Sequence, residues 1–416
     1  MVVPAGRNKR KNINDPVYGF ITIPDETIFD LIEHPWFQRL RRIKQLGLTY
    51  YVYPSATHSR FQHALGCMYL MKQTIQLLRA KGIDITPDEE DGVTRAILLH
   101  DIGHGPFSHT LEQSIIPGLT HEQLSLLFME EMSRQFSGCL DTAIAISKDR
   151  YPKRFLHQLV SSQLDMDRLD YLSRDSFFTG VVEGMINTDR IINMLNVVGD
   201  ELVVEAKGIY SIEKFIMARR LMYWQVYLHK TVLSADRMLT SILRRATFLA
   251  GSGVDLFATP ALRTFLEKRH AHEGPCSASC LVDFAKLDDE DIIASIKAWM
   301  DAPDPVLSVL CSNLIGRRLF RVEMQNEPFD PEYIEKITRE TEKKLALGPG
   351  ETEYFVIADQ VTNNAYDPRH DRIRILLRDN RLLDVTDTSG QLNIPVLSSP
   401  VSKYILCYPK VVTVMH

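Results

Sequence analysis

Residues 211–250, SIEKFIMARRLMYWQVYLHKTVLSADRMLTSILRRATFLA, run for forty positions without a glycine or a proline. Proline breaks a helix interior and glycine weakens it, so an amphipathic stretch of this length free of both commits the chain to a largely helical body. FLHQLVSSQLDMDRLDYLSRD (155–175) and DEDIIASIKAWMDA (289–302) repeat the pattern. Nearer the N-terminus, Ile28, Leu31 and Ile32, then Phe37, Leu40, Ile43 and Leu46, keep a helical spacing broken by Pro35 and stopped by Gly47. This predicts two helices meeting at the proline. RFQHALGCMYLMKQTIQLLRAKG places Phe61, Leu65, Met68, Tyr69, Ile75 and Leu78 on a further helix ending at Gly82. Another starts at Pro87, carries acids in its first turn and ends near Gly103. Two stretches depart from this pattern. VVGDELVVEAKG (197–208) reads as a hairpin, and after Gly348 the runs EYFVIADQV, RIRILLRD and KYILCYPKVVTVM are short and β-rich. The reading is a mainly α chain with a small mixed α+β subdomain at its C-terminal end.

A formal net charge of −5 argues against a general nucleic-acid coat. MVVPAGRNKRKNINDP is basic but lacks the apolar segment of a secretory signal, and no window reaches the 18 or so apolar residues of a membrane span, so a cytoplasmic protein without membrane contact is expected. The six cysteines are scattered across 416 residues and read as free thiols rather than a disulfide framework. Neither a glycine-rich nucleotide loop nor a P-loop is present, so nothing in the sequence points to a kinase or an ATPase.

AILLHDIGHGPFSHTLE (96–112) concentrates three histidines, an aspartate and a glutamate directly after an apolar run. Adjacent residues on a helix point about 100° apart, so His100 and Asp101 can share one ion only at a helix end or beside ligands from neighbouring helices. A buried carboxylate must be paired or bound to a cation. His63 lies on an upstream helix, and SSQLDMDRLDYLSRD offers Asp165, Asp167 and Asp170 downstream. Two imidazoles and two carboxylates suit one divalent ion among Mn, Fe, Zn and Ni, with Mg at lower affinity. Spacing alone does not choose among the three aspartates. His270, His272, Cys276 and Cys280 in RHAHEGPCSASC offer four zinc-type donors, but their spacing matches no common zinc module, and a surface loop is expected there.

The HxLG of RFQHALG, the HD of LLHDIGHGPFSH and the late aspartate of DMDRLDYLSRD together resemble the HD-domain phosphohydrolase superfamily. KNINDPVYGFITI, FQRLRRIKQLG and PSATHSRFQHALG resemble its deoxynucleoside triphosphate triphosphohydrolases, which include the SAM-and-HD-domain enzymes and bacterial relatives; the likeness runs through roughly residues 11–240. The resemblance implies an HD-domain helical core. With the local patterns it gives four expected parts: an N-terminal segment with the first helices and an effector site (1–50), a metal-binding catalytic core (51–180), a helical extension completing the substrate pocket (181–340) and, from the β-rich pattern, the small C-terminal subdomain (341–416). It implies His63, His100, Asp101 and Asp167 as metal ligands, leaving Asp165 and Asp170 structural. It implies hydrolysis of dNTPs to deoxynucleoside and inorganic triphosphate.

The same resemblance assigns Arg60, Arg168 and Arg219 to phosphates, Arg168 standing where the family carries lysine. Gln45, Tyr171, Asp175 and Tyr227 fall to the sugar and base, and His104, His109 and His121 to the catalytic centre. Glu112 follows His109 by three residues, within reach of its imidazole on a helix, which makes His109 the expected general acid. Lys11, Asn14, Arg41 and Lys230 match an effector nucleotide site at subunit interfaces, although Glu33 replaces an aspartate that reads guanine there; a homo-oligomer, dimer or tetramer, accompanies that implication. The competing readings are an HD-type phosphomonoesterase or phosphodiesterase on another nucleotide, and a nucleotide sensor without turnover.

Overall fold

The computed structural model describes residues 11–107, 110, 118–267, 276–367, 369, 371–388 and 400–412. Its spine is the helix Arg60–Ala80, which buries Phe61, His63, Leu65, Met68, Met71, Ile75 and Leu78. Burial on several sides marks it as a central rather than a surface helix. The helix Pro87–Leu99 packs beside it. Thr86 caps that helix by accepting from the Glu89 N–H at 3.2 Å while Glu89 accepts from the Thr86 N–H at 2.8 Å, and Pro87 takes the first position, where no amide is needed. The helices His121–Gln135, Asp141–Ser147, Arg154–Val160 and Met166–Thr179 complete the bundle.

The expected helices form with three corrections. The spacing of Phe37, Leu40, Ile43 and Leu46 gives no single helix after Pro35: Pro35–Gln38 is one short turn, Arg39–Arg42 is 3-10, and Lys44 then bridges to Ser59. A strict i+3 repeat is the period of a 3-10 helix as much as of an α-helix. The run 155–175 breaks at Ser161–Asp165, because Asp165 caps the next helix, accepting from the Arg168 N–H at 2.7 Å and the Ser162 N–H at 2.8 Å. The forty-residue run also divides, into Ile209–Met222, a π-helical turn Tyr223–Tyr227, and Lys230–Gly251 capped by His229. The π turn has no glycine or proline to announce it, and it carries Tyr223 and Tyr227 into the central cavity.

Three small sheets accompany the helices among the described residues. Asn12–Asp15 and Gly19–Thr22 form an N-terminal hairpin. The anticipated hairpin is present as Leu195–Val198 and Glu201–Glu205, turning at Gly199 and Asp200. Its second strand pairs in parallel with Arg374–Leu376, which pairs with Leu382–Asp384. The third sheet places Val401–Tyr408 between Arg321–Gln325 and Ile357–Asn363, all antiparallel. Ile375 and Ile405 join the same hydrophobic core as Leu65 and Leu98, so the C-terminal strands are packed onto the helical body. No helix among the described residues is long and apolar enough to cross a membrane.

Candidate active site

Three helices deliver the metal-type side chains. His63 stands in the first turn of Arg60–Ala80, His100 and Asp101 immediately follow Leu99 at the end of Pro87–Leu99, and Asp167 is the second residue of Met166–Thr179. His63 Nε2 lies 3.1 Å from Asp167 Oδ1 and 3.7 Å from Asp101 Oδ2. His100 Nε2 lies 3.3 Å from Asp101 Oδ1 and 3.6 Å from Asp167 Oδ1. Asp170, one turn beyond Asp167, instead takes His63 Nδ1 at 2.7 Å.

These contacts set the tautomers. His100 Nδ1 sits 2.6 Å from the Ile97 carbonyl and must donate to it, which turns Nε2 inward, buried and without a hydrogen-bond partner. His63 donates from Nδ1 to Asp170 and likewise turns Nε2 inward, toward Asp167. Two imidazole nitrogens and two carboxylates facing one point is an arrangement that a divalent ion satisfies, since bonds of about 2.1 Å hold neighbouring donors about 3 Å apart. The residues therefore fit a metal. The same crowding appears in the acid–base balance. Burial alone would raise the Asp101 carboxyl, yet His100, His104 and Arg60 hold it well below its ordinary range.

Sequence spacing missed one donor. Cys67, one turn from His63, groups with His63, His100 and Asp167 within 4.8 Å, its sulfur 3.6 Å from His63 Nε2. Burial pushes its thiol far up, so it stays protonated, whereas Asp101 is ionised and stands at 3.3 Å from His100. Asp101 is the better ligand on that ground. The i+4 relation to His63 was the available signal for Cys67.

The cluster opens into a cavity of about 710 Å³, whose lining includes every described residue that the resemblance assigned to catalysis or substrate. Arg60 Nη1 holds Asp101 Oδ2 at 2.5 Å. Arg168 is tied back by the Ser162 carbonyl at 2.7 Å and Asp165 at 3.3 Å. Burial pushes the Asp165 carboxyl up to about 6 against the opposing charge of Arg168. Arg219 reaches Gln163 Oε1 at 3.2 Å, and its Nε is buried without a partner, as is Gln45 Oε1. His104 and His121 stack with ring centroids 3.9 Å apart. Burial and Arg60 keep the His104 imidazole well below its ordinary pKa, so it is neutral. Elsewhere on the wall, Asp175 accepts from Tyr227 Oη at 2.8 Å and meets His58 Nε2 at 2.8 Å. Tyr171 packs edge-on to Tyr227, and burial pushes its hydroxyl up to about 12.

Arg39 was not anticipated and supports the motif loop from behind. Fully buried, it donates from Nη2 to the carbonyls of Ile102 at 2.7 Å and His104 at 2.9 Å, and from Nη1 to those of Phe284 and Leu287. Ser125 adds a second tie, donating to the His100 carbonyl at 2.6 Å and accepting from the Gly103 N–H at 2.9 Å. A Cβ on Gly103 would lie 2.3 Å from the His121 carbonyl oxygen, so only glycine lets the next helix come this close. Arg39→Ala should strand four buried carbonyls and leave a cavity, at a cost of about 3–5 kcal/mol, read as a lower denaturant midpoint with an unchanged m-value. An unaltered midpoint would deny Arg39 this role.

Some assigned residues lie apart. His109, Glu112, His270 and His272 fall outside the described residues. Cys280 is buried in the helix Ala278–Phe284 and Cys276 precedes it, its thiol lowered by a hydrogen bond from Cys280. Lys11, Asn14, Arg41 and Lys230 are exposed. Lys11 stands over the Phe29 ring and Arg41 over the Phe61 ring. Lys230 lines a separate depression of about 500 Å³ with Trp224, His229, Met324 and Lys403, which none of the other three borders.

The HD domain family model matches residues 60–175, and the HD associated region matches 186–253. The uncharacterized protein YwfO of Bacillus subtilis is 35% identical over 377 residues, 88% of this chain and 83% of its own length. The deoxynucleoside triphosphate triphosphohydrolase SAMHD1 of Homo sapiens is 31% identical over 280 residues, and its Dictyostelium discoideum homolog 30% over 261. These alignments take in 57% and 58% of this chain but only 44% and 50% of the two relatives, so the chain spans about half their length. The crystal structure of a phosphohydrolase from Bacteroides thetaiotaomicron superimposes with a TM-score of 0.91 at 52% identity, covering 96% of this chain and all of that one.

Proposed function

Because the chain belongs to the HD-domain phosphohydrolase superfamily, we propose that it hydrolyses deoxynucleoside triphosphates to the deoxynucleoside and inorganic triphosphate. The observation that carries this reading is a cavity of about 710 Å³ in which a metal-type cluster, three arginines and a tyrosine-lined wall meet. Such a volume suits a small-molecule ligand with a charged and an apolar end.

His63, His100, Asp101 and Asp167 would hold the ion. When bound, a divalent cation polarises a phosphoryl oxygen and lowers the pKa of water beside it. Arg60, Arg168 and Arg219 place fixed positive charge along the triphosphate, where charge spreads in a loose transition state. Arg168 brings a planar guanidinium able to grip phosphate bidentately. Gln45, with its buried Oε1 unpartnered, offers an acceptor to a sugar hydroxyl. Tyr171 and the Asp175-held Tyr227 form a rigid wall that admits deoxyribose and crowds a 2′-hydroxyl.

His104 is neutral and stacked on His121, which suits it to donate a hydrogen bond rather than carry the catalytic proton. The general acid in this reading is His109, oriented by Glu112. An effector nucleotide at Lys11, Asn14, Arg41 and Lys230, and assembly into a dimer or tetramer, extend the same reading. Exposure of all four cations and polar groups supports that extension.

Purified protein incubated with manganese and each dNTP in turn, with products separated by chromatography, tests the reaction. Equal molar release of deoxynucleoside and triphosphate is expected. Orthophosphate or a nucleoside monophosphate would reassign the chain to another phosphate ester, and absence of turnover with bound nucleotide would make it a sensor.

A further inference from the structure

Behind His63 runs a line of buried charges that ends at the N-terminal hairpin. Asp170 Oδ2, which accepts from His63 Nδ1 at 2.7 Å, also accepts from Arg174 Nε at 2.9 Å, and Asp170 Oδ1 takes Arg174 Nη2 at 3.0 Å. The remaining arm, Arg174 Nη1, donates to Asp15 Oδ2 at 2.7 Å. Asp15 closes the strand Asn12–Asp15, and its other oxygen accepts from the Val17 and Tyr18 amides that form the hairpin turn. Asp15 is 7% exposed, and Asp170, Arg174 and His63 are wholly buried. Tyr18 lies against the Arg174 guanidinium and stacks on Tyr69, so the hairpin seals the line from solvent.

The geometry points to Asp15 and Arg174 as positioning residues for the metal centre: the N-terminal hairpin sets the affinity of the site for its ion through Arg174, Asp170 and His63. This rests on the metal reading given above. Three features argue for more than structural filling. Each of the three Arg174 nitrogens donates to one of the two carboxylates, which pins Asp170, and the orientation of Asp170 decides where His63 Nε2 points. Asp15 and Asp170 with Arg174 carry one net negative charge behind the imidazole, which strengthens it as a donor to a cation. In a low-dielectric interior that charge is weakly screened, so it acts across the intervening guanidinium.

Manganese titration calorimetry on the full chain, stripped of metal with a chelator, tests the inference. Wild type should bind one ion. Loss of the adjacent partner in Asp170→Asn should weaken Kd on the order of 10- to 100-fold, and Asp15→Asn, one step further out, about three- to tenfold. Asp15→Glu keeps the charge and should stay within about twofold of wild type. Should Asp15→Asn fail to fold, Arg174→Lys replaces it: one ammonium cannot serve both carboxylates in this geometry, and a similar weakening is expected. Glu89→Gln, equally buried but paired with Tyr151 and Lys153, controls for stability loss and should leave Kd unaltered. Unchanged Kd in Asp15→Asn or Arg174→Lys, beside a binding wild type, overturns the relay alone. A wild type that binds no manganese overturns the metal reading itself.

Discussion

Asp101→Ala should bind no manganese and release no triphosphate from any dNTP. The carboxylate stands 3.3 Å from both His100 Nε2 and His104 Nε2 while holding Arg60, so its loss removes the proposed metal donor and frees a buried guanidinium. A Lewis acid stabilises transition-state charge by several kcal/mol, and each 1.36 kcal/mol is tenfold, so turnover should fall about a thousandfold or more. Metal content by emission spectroscopy and product release checks it, with circular dichroism to show that the fold survives. Cys67→Ser provides the contrast and should keep both metal and turnover. Retention of metal by Asp101→Ala together with its loss in Cys67→Ser would move the fourth donor from Asp101 to Cys67.

Gly66→Ala should destabilise the whole domain, although alanine is the better helix former by about 1 kcal/mol. A Cβ there would lie 2.0 Å from Asp170 Oδ1 and 2.3 Å from Arg174 Nη2. Neither atom can swing away, because both side chains are wholly buried and bonded on every arm. Separating a buried ion pair costs about 3–5 kcal/mol, which exceeds the propensity gain. The net loss of a few kcal/mol is a large share of the 5–15 kcal/mol typical of a folded protein, and the Tm should drop by about 2–5 °C. Manganese affinity should weaken with it. A melting curve that overlays wild type would mean that the helices separate easily here. The glycine of HxLG is thus explained by packing: three residues after His63, it leaves room for the ion pair that orients His63.

The helical class of this chain and its two kinds of β-rich segment follow from local rules, and both were readable. Long runs without proline or glycine form helices, and a two-residue turn between β-branched runs forms a hairpin, as at Gly199 and Asp200. The position of the HD pair close to a helix end was also readable, although the helix was expected to run to about Gly103 and stops at Leu99. Local pattern did not reveal where the long runs break. Helical periodicity continues through the π turn Tyr223–Tyr227 and across Ser161–Asp165, so the apolar spacing announces neither break, although Asp165 makes its cap with amides only three residues away.

Nor could composition choose among Asp165, Asp167 and Asp170, which differ by position on one helix. Tertiary structure separates them: Asp165 caps backbone amides, Asp167 faces the two imidazoles, and Asp170 meets Arg174. Arg39, Arg174 and Asp15 escaped notice for the same reason. Their partners lie 63, 4 and 159 positions away along the chain, and apart from the four-residue step on one helix only folding brings them together. Sequence periodicity governs a residue's own helix or strand, since that depends on neighbours within a few positions. The role of a buried charge depends on which distant group neutralises it, and that was decided by the packing of the helices.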